Sequence, residues 1–227
     1  TKNQILKKLK VKKSDKFDSI ILFAAHVFAD GPHGCGKMIF DDYFQQLILS
    51  VEKMKKNKNV LYILKSHPSS FLLNEEGFLE NYYYKNKLYK YDNIKICPKD
   101  IKTNALLSII DTIATCSGSA GLELAAFYGK RPILAGASYY SNLGFTQDCK
   151  SEKEYYKFFA KPNLLKKLSH QDKINANKCL YLVECSYKEH NIGNFFPKNI
   201  RIHKYKKISL ISDKNYIKQI NKNSIKF

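Results

Sequence analysis

The chain has 227 residues, of which 44% are hydrophobic and 13% aromatic, a composition that excludes an intrinsically disordered protein. No apolar run reaches the roughly 18 residues that a membrane-spanning helix needs. The start, TKNQILKKLKVKK, lacks the apolar core and cleavage site of a signal peptide. The sequence therefore favours a cytoplasmic globular protein.

The formal net charge of +19 predicts affinity for phosphates, nucleic acids or anionic lipid headgroups. Lysine greatly outnumbers arginine, so codon composition is an alternative source of the excess. Basic residues concentrate in KKLKVKKSDK near the start and in 197–227, which has nine Lys or Arg against one Asp. No nucleic-acid motif accompanies the charge, so we expect no nucleic acid partner. We expect instead a peripheral contact with the anionic inner face of the cytoplasmic membrane.

The six cysteines show no CxxC pair, and a chain of this length does not need disulfide staples. We expect reduced thiols. No Cys or His residues have the short spacings of structural zinc sites, and no carboxylate pair suggests a metal. The sequence thus predicts neither a metal nor a cofactor. The cysteines are Cys35, Cys97, Cys116, Cys149, Cys179 and Cys185.

Short apolar runs alternate with longer amphipathic segments along the chain. The β-branched and aromatic run 18–25 predicts a strand, and 40–56 has the three- and four-residue apolar spacing of a helix. The near-continuous apolar run 59–65 indicates a strand buried on both faces, as in a parallel sheet. This order predicts a Rossmann-like α/β parallel sheet with helices on both faces. Further strands are predicted at 93–97, 112–116 and 131–136, and helices within 74–90, 151–160 and 169–187.

These patterns predict three parts of the chain. Residues 1–17 form a basic N-terminal segment or linker, 18–190 a Rossmann-like nucleotide-binding domain, and 191–227 a basic extension. In such a sheet, ligands bind outside the carboxyl ends of the strands. Polar and glycine-rich residues follow four of the five predicted strands, so this edge is the predicted ligand site.

The most specific of these segments is TCSGSAGLE, where a strand leads through small residues into a helix. Small residues let the backbone approach an anion, and the free N–H groups of a helix start bind phosphate. The alternative is simple helix capping, which needs one such residue rather than four. Glu123, early in the helix, is a candidate partner for a ribose diol or a complement to the helix dipole. The predicted phosphate-binding residues are Ser117, Gly118, Ser119 and Gly121.

A second candidate lies in KSHPSS, after the second predicted strand. Pro68 disfavours a helical conformation at His67, so the imidazole is held extended just past the strand. The ring has Lys65 and the hydroxyls of Ser69 and Ser70 nearby, and a bound phosphate would favour its protonated form. We expect these residues to bind the same phosphate as the serine loop.

The turn HVFADGPH, after the first predicted strand, contains His26 and Asp30. An Asp near an acceptor hydroxyl is a candidate general base, and a histidine can stabilise a departing phosphate. The alternative is ordinary Asp-Gly-Pro turn chemistry. Both residues are therefore candidate catalytic groups.

Together, LKSHPSS, TCSGSAGLELAAFYGKRPILAG and YYSNLGFTQD resemble the bacterial capsule polysaccharide biosynthesis proteins. That family contains the Kdo transferases of capsule export and is related to bacterial sialyl- and polysialyltransferases. The resemblance covers about 20–156. It implies a GT-B fold in which a histidine-proline motif and a serine motif hold a CMP-activated sugar. The matching positions are His67, Pro68, Ser117, Ser119 and Glu123, with Tyr140 and Thr146 in the loop after the fifth strand.

The resemblance implies a metal-independent glycosyltransferase that uses a nucleotide-sugar donor such as CMP-Kdo in capsule or surface polysaccharide synthesis. Its acceptor would be lipid-linked or a glycan, and other capsule-synthesis subunits are expected partners. A GT-B enzyme has two Rossmann-like domains, whereas this length accommodates only the donor-binding one. We therefore expect either a fragment or a chain whose acceptor side is supplied by another subunit.

Three alternatives share these features. A teichoic-acid-type glycerol- or ribitol-phosphate transferase also uses a histidine-proline loop and a serine loop, with a CDP-alcohol as donor. A sugar-nucleotide epimerase shares the sheet and the phosphate site but needs no acceptor. A non-catalytic nucleotide-sugar-binding subunit of a capsule assembly complex would bind nucleotide without turnover.

Overall fold

The computed structural model describes residues 1–33 and 36–184. The predicted extension 191–227 and the last residues of the predicted domain lie outside the described residues. The strands are β1 Ser19–Ala24, β2 Val60–Lys65, β3 Ile94–Ile96, β4 Thr112–Thr115, β5 Ile133–Leu134 and β6 Gln147–Asp148. The α-helices are α1 Lys2–Lys8, α2 Tyr43–Lys56, α3 Phe78–Lys85, α4 Thr103–Leu107, α5 Ser119–Tyr128, α6 Glu152–Ala160 and α7 His170–Glu184.

The six strands form one parallel sheet in the order β3-β2-β1-β4-β5-β6. This arrangement confirms the predicted Rossmann-like α/β fold. β1 is central, because Ile21 pairs with Tyr62 of β2 on one side and with Thr112 of β4 on the other. All five predicted strands are present. The two-residue β6 was not predicted, since it is too short to show a periodic pattern.

Side chains that alternate along β1 enter two separate cores. Ile21 and Phe23 belong to a cluster that includes Leu47 of α2, whereas Leu22 packs on the other face with Leu107 of α4. The central strands are buried on both faces, which explains their near-continuous apolar sequence. Within the predicted N-terminal segment 1–17, α1 is followed by Leu9, which is buried in the second cluster.

Local capping sets the helix boundaries near the ligand-binding edge. α2 begins at Tyr43 rather than at 40, because the Asp42 carboxylate accepts a hydrogen bond from the N–H of Gln45 and caps the helix. The region 74–90 forms α3 and a separate 3-10 turn rather than one helix. Gly77 and Lys87 adopt left-handed backbone conformations at the two breaks. Among the described helices, none is long and apolar enough to cross a membrane.

Candidate functional site

The strand order reverses direction at β1 and β4, which places a crevice outside the carboxyl ends of these two strands. His26 follows β1, and Ser117 follows β4. These residues are 91 positions apart in the sequence, yet the backbone N–H of Ser117 donates a hydrogen bond of 3.2 Å to His26 Nε2. The sheet therefore brings two of the predicted site residues into direct contact at the point where ligands bind in this fold.

Two hydrogen bonds define the protonation of His26. Its Nε2 accepts from Ser117 and lies 3.2 Å from Thr115 Oγ1, which itself accepts from the N–H of Gly118 at 3.3 Å. The Thr115 hydroxyl is thus free to donate to Nε2. This network assigns the imidazole proton to Nδ1 and leaves the ring neutral. In agreement, burial and the nearby His67 lower the pKa of His26 to about 4, although Asp30 opposes the shift.

His67 lies beside His26 and is held by its own loop. The two rings are stacked, with centroids 6.2 Å apart, and His26 also stacks on Tyr43 at 4.4 Å. The N–H of Ser69 donates to His67 Nδ1 at 3.1 Å, which assigns the proton of the neutral ring to Nε2. Burial lowers the pKa of His67, and Asp30 partly opposes this effect. The structure thus places two neutral imidazoles, each with an N–H group, at the carboxyl edge of the sheet.

The predicted serine loop has fewer available donors than the sequence suggests. The N–H of Ser117 bonds to His26 and that of Gly118 to Thr115, so neither is free for an anion. α5 begins at Ser119, and the N–H groups of Ser119 and Ala120 have no acceptor within the helix. The exposed Ser119 hydroxyl lies 3.4 Å from Glu123 Oε1. The anion-binding potential of this loop therefore lies in the first turn of α5.

Gly121 belongs to this turn, whereas Tyr140 and Thr146 are buried residues of the segment after β5. Tyr140 is fully buried, and its hydroxyl donates to the carbonyl of Gly118 at 2.6 Å. A Cβ at Gly121 would collide with that hydroxyl, and the buried Thr146 donates to Asp148 at 2.8 Å. The Tyr140 hydroxyl therefore supports the serine loop from inside the protein, whereas the Thr146 bond is local to the β6 region. The ligand roles of these three residues stay predictions, and the buried positions of Tyr140 and Thr146 give those roles no support.

Asp30 lies on the exposed rim of the crevice. Its carboxylate accepts from the N–H of Gly31 at 2.8 Å, and its own N–H donates to Val27. These are the turn contacts named as the alternative explanation for this residue. The carboxylate is nevertheless close enough to favour the protonated forms of His26 and His67. Asp30 is thus accessible to an acceptor group, while its catalytic role stays a prediction.

A cavity of about 430 Å³ opens next to His67, on the side of β2 and β3. Its walls include two residues of the predicted site, Lys65 and the exposed Pro68. The Lys65 ammonium donates a hydrogen bond to the carbonyl of Ile101 at 2.9 Å. The Lys65 ammonium therefore joins the end of β2 to the loop after β3 at the cavity wall. The cavity lining also includes Ser70, whose hydroxyl the sequence placed near His67. Sequence reasoning missed six further polar residues of the cavity, which are Ser66, Glu76, Glu80, Lys99, Lys102 and Thr103.

Glu80 is the most unusual polar group of this cavity. One carboxylate oxygen accepts from the Ser66 hydroxyl at 3.0 Å, whereas the other is buried without a hydrogen-bond partner among the described residues. A buried acceptor without a partner is costly unless a ligand or water satisfies it. The segment CPKDIKT, at the end of the third predicted strand, supplies Lys99, Lys102 and Thr103 to this cavity, and it is the sequence signal that could have indicated it.

No cluster of three or more His, Cys, Asp or Glu side chains suited to a metal occurs in the described part of the chain. The four cysteines that are described, Cys97, Cys116, Cys149 and Cys179, are free and buried. Cys97 lies at the cavity wall, where burial raises the pKa of its thiol. Such a thiol is mostly protonated at neutral pH and is not an activated nucleophile.

No family model and no curated protein matches the sequence. Similar solved structures include the following two. KpsC from Thermosulfurimonas dismutans, a beta Kdo 2,4 transferase, is 16% identical over 78% of this chain and 54% of that chain, with a TM-score of 0.43. A variant of the wall teichoic acid polymerase TagF is 13% identical over 97% of this chain and 48% of that chain, with a TM-score of 0.35. The chain spans about half the length of each, and similarity at this level does not define a function.

Proposed function

We propose that this chain is the donor-binding domain of a glycosyltransferase that uses a nucleotide-activated sugar in the synthesis of a surface polysaccharide. The observation that carries the proposal is the convergence of His26, His67 and the first turn of α5 at the switch point of the sheet. Ligands of such folds bind at this point, and a helix N-terminus beside N–H donors is suited to phosphate.

A donor phosphate would lie between the first turn of α5 and His67 Nε2–H. The N–H groups of Ser119 and Ala120 and the exposed Ser119 hydroxyl supply further donors. When the bond between sugar and phosphate breaks, the departing nucleotide gains negative charge at its phosphate. Fixed donors that face this charge stabilise the transition state. The phosphate also favours protonation of His67, which would then act as a cationic donor.

The nucleoside would occupy the cavity next to His67 rather than the region of Glu123 and 139–148. Tyr140 in that loop is fully buried, whereas the cavity of about 430 Å³ is open and adjoins His67, which we propose to bind the phosphate. Its volume lies within the usual range for small-molecule sites. The Glu80 carboxylate would accept a hydrogen bond from an amino group such as that of cytosine. These features support a nucleotide whose base carries an amino group. We propose a CMP-sugar such as CMP-Kdo as donor, because cytosine has such a group and the sequence resemblance implies a CMP-activated sugar.

The rest of the reaction is proposed from the same geometry. Asp30, on the rim, would take the proton of an acceptor hydroxyl as the sugar is transferred. A lipid-linked or glycan acceptor would approach from the open side of the crevice, where another domain or subunit completes a metal-independent GT-B enzyme. The net charge of +19 supports a peripheral position at the inner face of the cytoplasmic membrane.

The test is a calorimetric titration with CMP, CDP, UDP and GDP. We expect CMP to bind, and the His67→Ala and Ser119→Ala variants to bind it more weakly by about 1 to 3 kcal/mol, the range for a hydrogen bond to a charged group. His170→Ala and Ser14→Ala are matched controls, because both residues are exposed and neither lines the site. Ser14 precedes the amino end of β1, whereas the site lies at the carboxyl ends of the strands. A folded chain that binds none of the four nucleotides contradicts the proposal. Parallel titrations with CDP-glycerol and CMP-Kdo distinguish a sugar transferase from a glycerol-phosphate transferase.

A further inference from the structure

One carboxylate joins the loop after β1 to the loop after β2. Glu75, which follows the 3-10 turn Ser70–Leu73, accepts hydrogen bonds from the backbone N–H groups of Phe28 at 2.7 Å and of Ala29 at 2.5 Å. Each bond uses a different carboxylate oxygen. Short bonds from N–H groups to an ionised carboxylate are among the strong hydrogen bonds of proteins. Glu75 therefore binds the β1 loop through two consecutive backbone groups.

Aromatic side chains pack beside this contact. The Phe28 ring lies 5.0 Å from that of Phe78, at the start of α3, and 5.9 Å from that of Phe44 in α2. Phe44 and Phe78 also contact each other, at 5.7 Å. Packing in this cluster restricts the position of the loop after β1. The two hydrogen bonds to Glu75 fix the orientation of that loop.

The residues on either side of this contact are those of the proposed donor site. Asp30 directly follows Ala29, and His26 precedes Phe28 by two positions. His67 lies in the loop that carries Glu75. Between 26–33 and 66–77, as far as these ranges are described, Glu75 provides the only hydrogen bonds that join the two loops.

We propose that Glu75 is a positioning residue that fixes the His26–Asp30 turn against the His67 loop. Its link to nucleotide binding rests on the proposed function, whereas the contact itself requires no ligand. Without the carboxylate, the N–H groups of Phe28 and Ala29 lose their acceptor and the exposed turn loses its orientation. Asp30 then moves relative to both imidazoles, and the site is no longer preorganised for binding.

The first test is amide hydrogen exchange measured by NMR on Glu75→Ala, Glu75→Gln and Glu76→Ala. Glu76 is the matched control, because its carboxylate pairs with Lys99 on the exposed surface. We expect exchange at Phe28 and Ala29 to accelerate at least tenfold in Glu75→Ala and to an intermediate degree in Glu75→Gln, which keeps one acceptor oxygen. Glu76→Ala should match the wild type. Unchanged exchange in both Glu75 variants overturns the proposal.

The second test distinguishes positioning from general stabilisation. Asp30 raises the pKa of His67, so Asp30→Asn should lower that pKa in the wild type and in Glu76→Ala. In Glu75→Ala, the same substitution should have little effect, because Asp30 is already displaced. Equal pKa changes in all three backgrounds overturn the proposal. If Glu75→Ala does not fold, the comparison is made in Glu75→Gln, where we expect a reduced change.

Nucleotide binding provides the third readout, with CMP as the probe. We expect at least tenfold weaker binding in Glu75→Ala and unchanged binding in Glu52→Ala, which removes an exposed carboxylate of α2 that pairs with Lys55. Equal affinities in both variants contradict the positioning role. If the wild type does not bind CMP, the proposed function fails, whereas the exchange and titration results still decide the role of Glu75.

Discussion

His26 Nε2 accepts a hydrogen bond from the backbone N–H of Ser117, so the end of β1 is joined to the end of β4 through a neutral imidazole. The Thr115 hydroxyl, which lies 3.2 Å from the same nitrogen, completes this arrangement. Protonation of Nε2 would replace an acceptor by a donor that faces another N–H. The contact therefore makes the geometry of the crevice sensitive to acid.

We expect His26 to contribute to acid destabilisation. Its pKa is about 4 in the folded chain, against an ordinary value of 6.5. The folded state therefore binds fewer protons than the unfolded state between these values. The contribution of neutral His26 to the free energy of unfolding is fully present above pH 6.5 and decreases as the pH falls towards 4, below which it no longer changes. This contribution is about 3 kcal/mol at its largest.

Urea unfolding at pH 7.5 and pH 4.5 measures this effect. Replacing His26 by Asn should reduce the loss of unfolding free energy between these pH values by about 2 kcal/mol relative to the wild type. His170→Asn, at an exposed position, should show the wild-type loss. An identical loss in wild type and His26→Asn would show that His26 is not buried in its neutral form.

Gly121→Ala should destabilise the chain by about 1 to 3 kcal/mol, the usual range for overpacking. The added Cβ would collide with the Tyr140 hydroxyl and lie 3.3 Å from Pro132 Cβ. Gly31→Ala is the matched control, because no atom lies within 4 Å of its added Cβ. Thermal or urea unfolding of both variants checks the prediction, and equal stabilities would contradict the packing beneath α5.

Tyr140→Phe should lower the unfolding free energy by about 1 kcal/mol, because the Gly118 carbonyl loses a buried hydrogen bond. In the Tyr140→Phe background, the cost of Gly121→Ala should decrease, since the hydroxyl that it meets is gone. Tyr84→Phe changes an exposed tyrosine and should leave stability unaffected. A double-mutant cycle by urea unfolding measures the coupling, and strict additivity would rule out this contact.

Arg131→Met should destabilise the chain by about 3 kcal/mol. The largely buried guanidinium donates to the carbonyls of Lys166, Gly144 and Thr146, and it pairs with Asp172 of α7 at 3.2 Å. Its removal takes the guanidinium donor from the three carbonyls, although Asp172 still accepts a hydrogen bond from the N–H of Ser169. Lys99→Met breaks only an exposed ion pair and should cause no measurable loss. Unfolding curves with similar midpoints for the two variants would contradict the structural role of Arg131.

The site was predictable to the extent that it depends on strand ends. The apolar runs located five strands, so His26, His67 and the serine loop were expected at one edge, where the structure has them. The direction of each side chain was not predictable. Lys65 was expected to face a phosphate, but its ammonium bonds to Ile101. Tyr140 was expected in a ligand loop, but it is buried beneath α5.

The parallel α/β sheet and the edge at which such sheets bind ligands follow from the amino-acid sequence, because hydrophobic periodicity and turn residues are local properties of the chain. Which polar groups are available at that edge depends on how the folded chain packs. The amide of Ser117 is used by His26, 91 residues away, and those of Phe28 and Ala29 by Glu75. Such pairings depend on distances between loops that meet only when the sheet is assembled, and no local pattern encodes them.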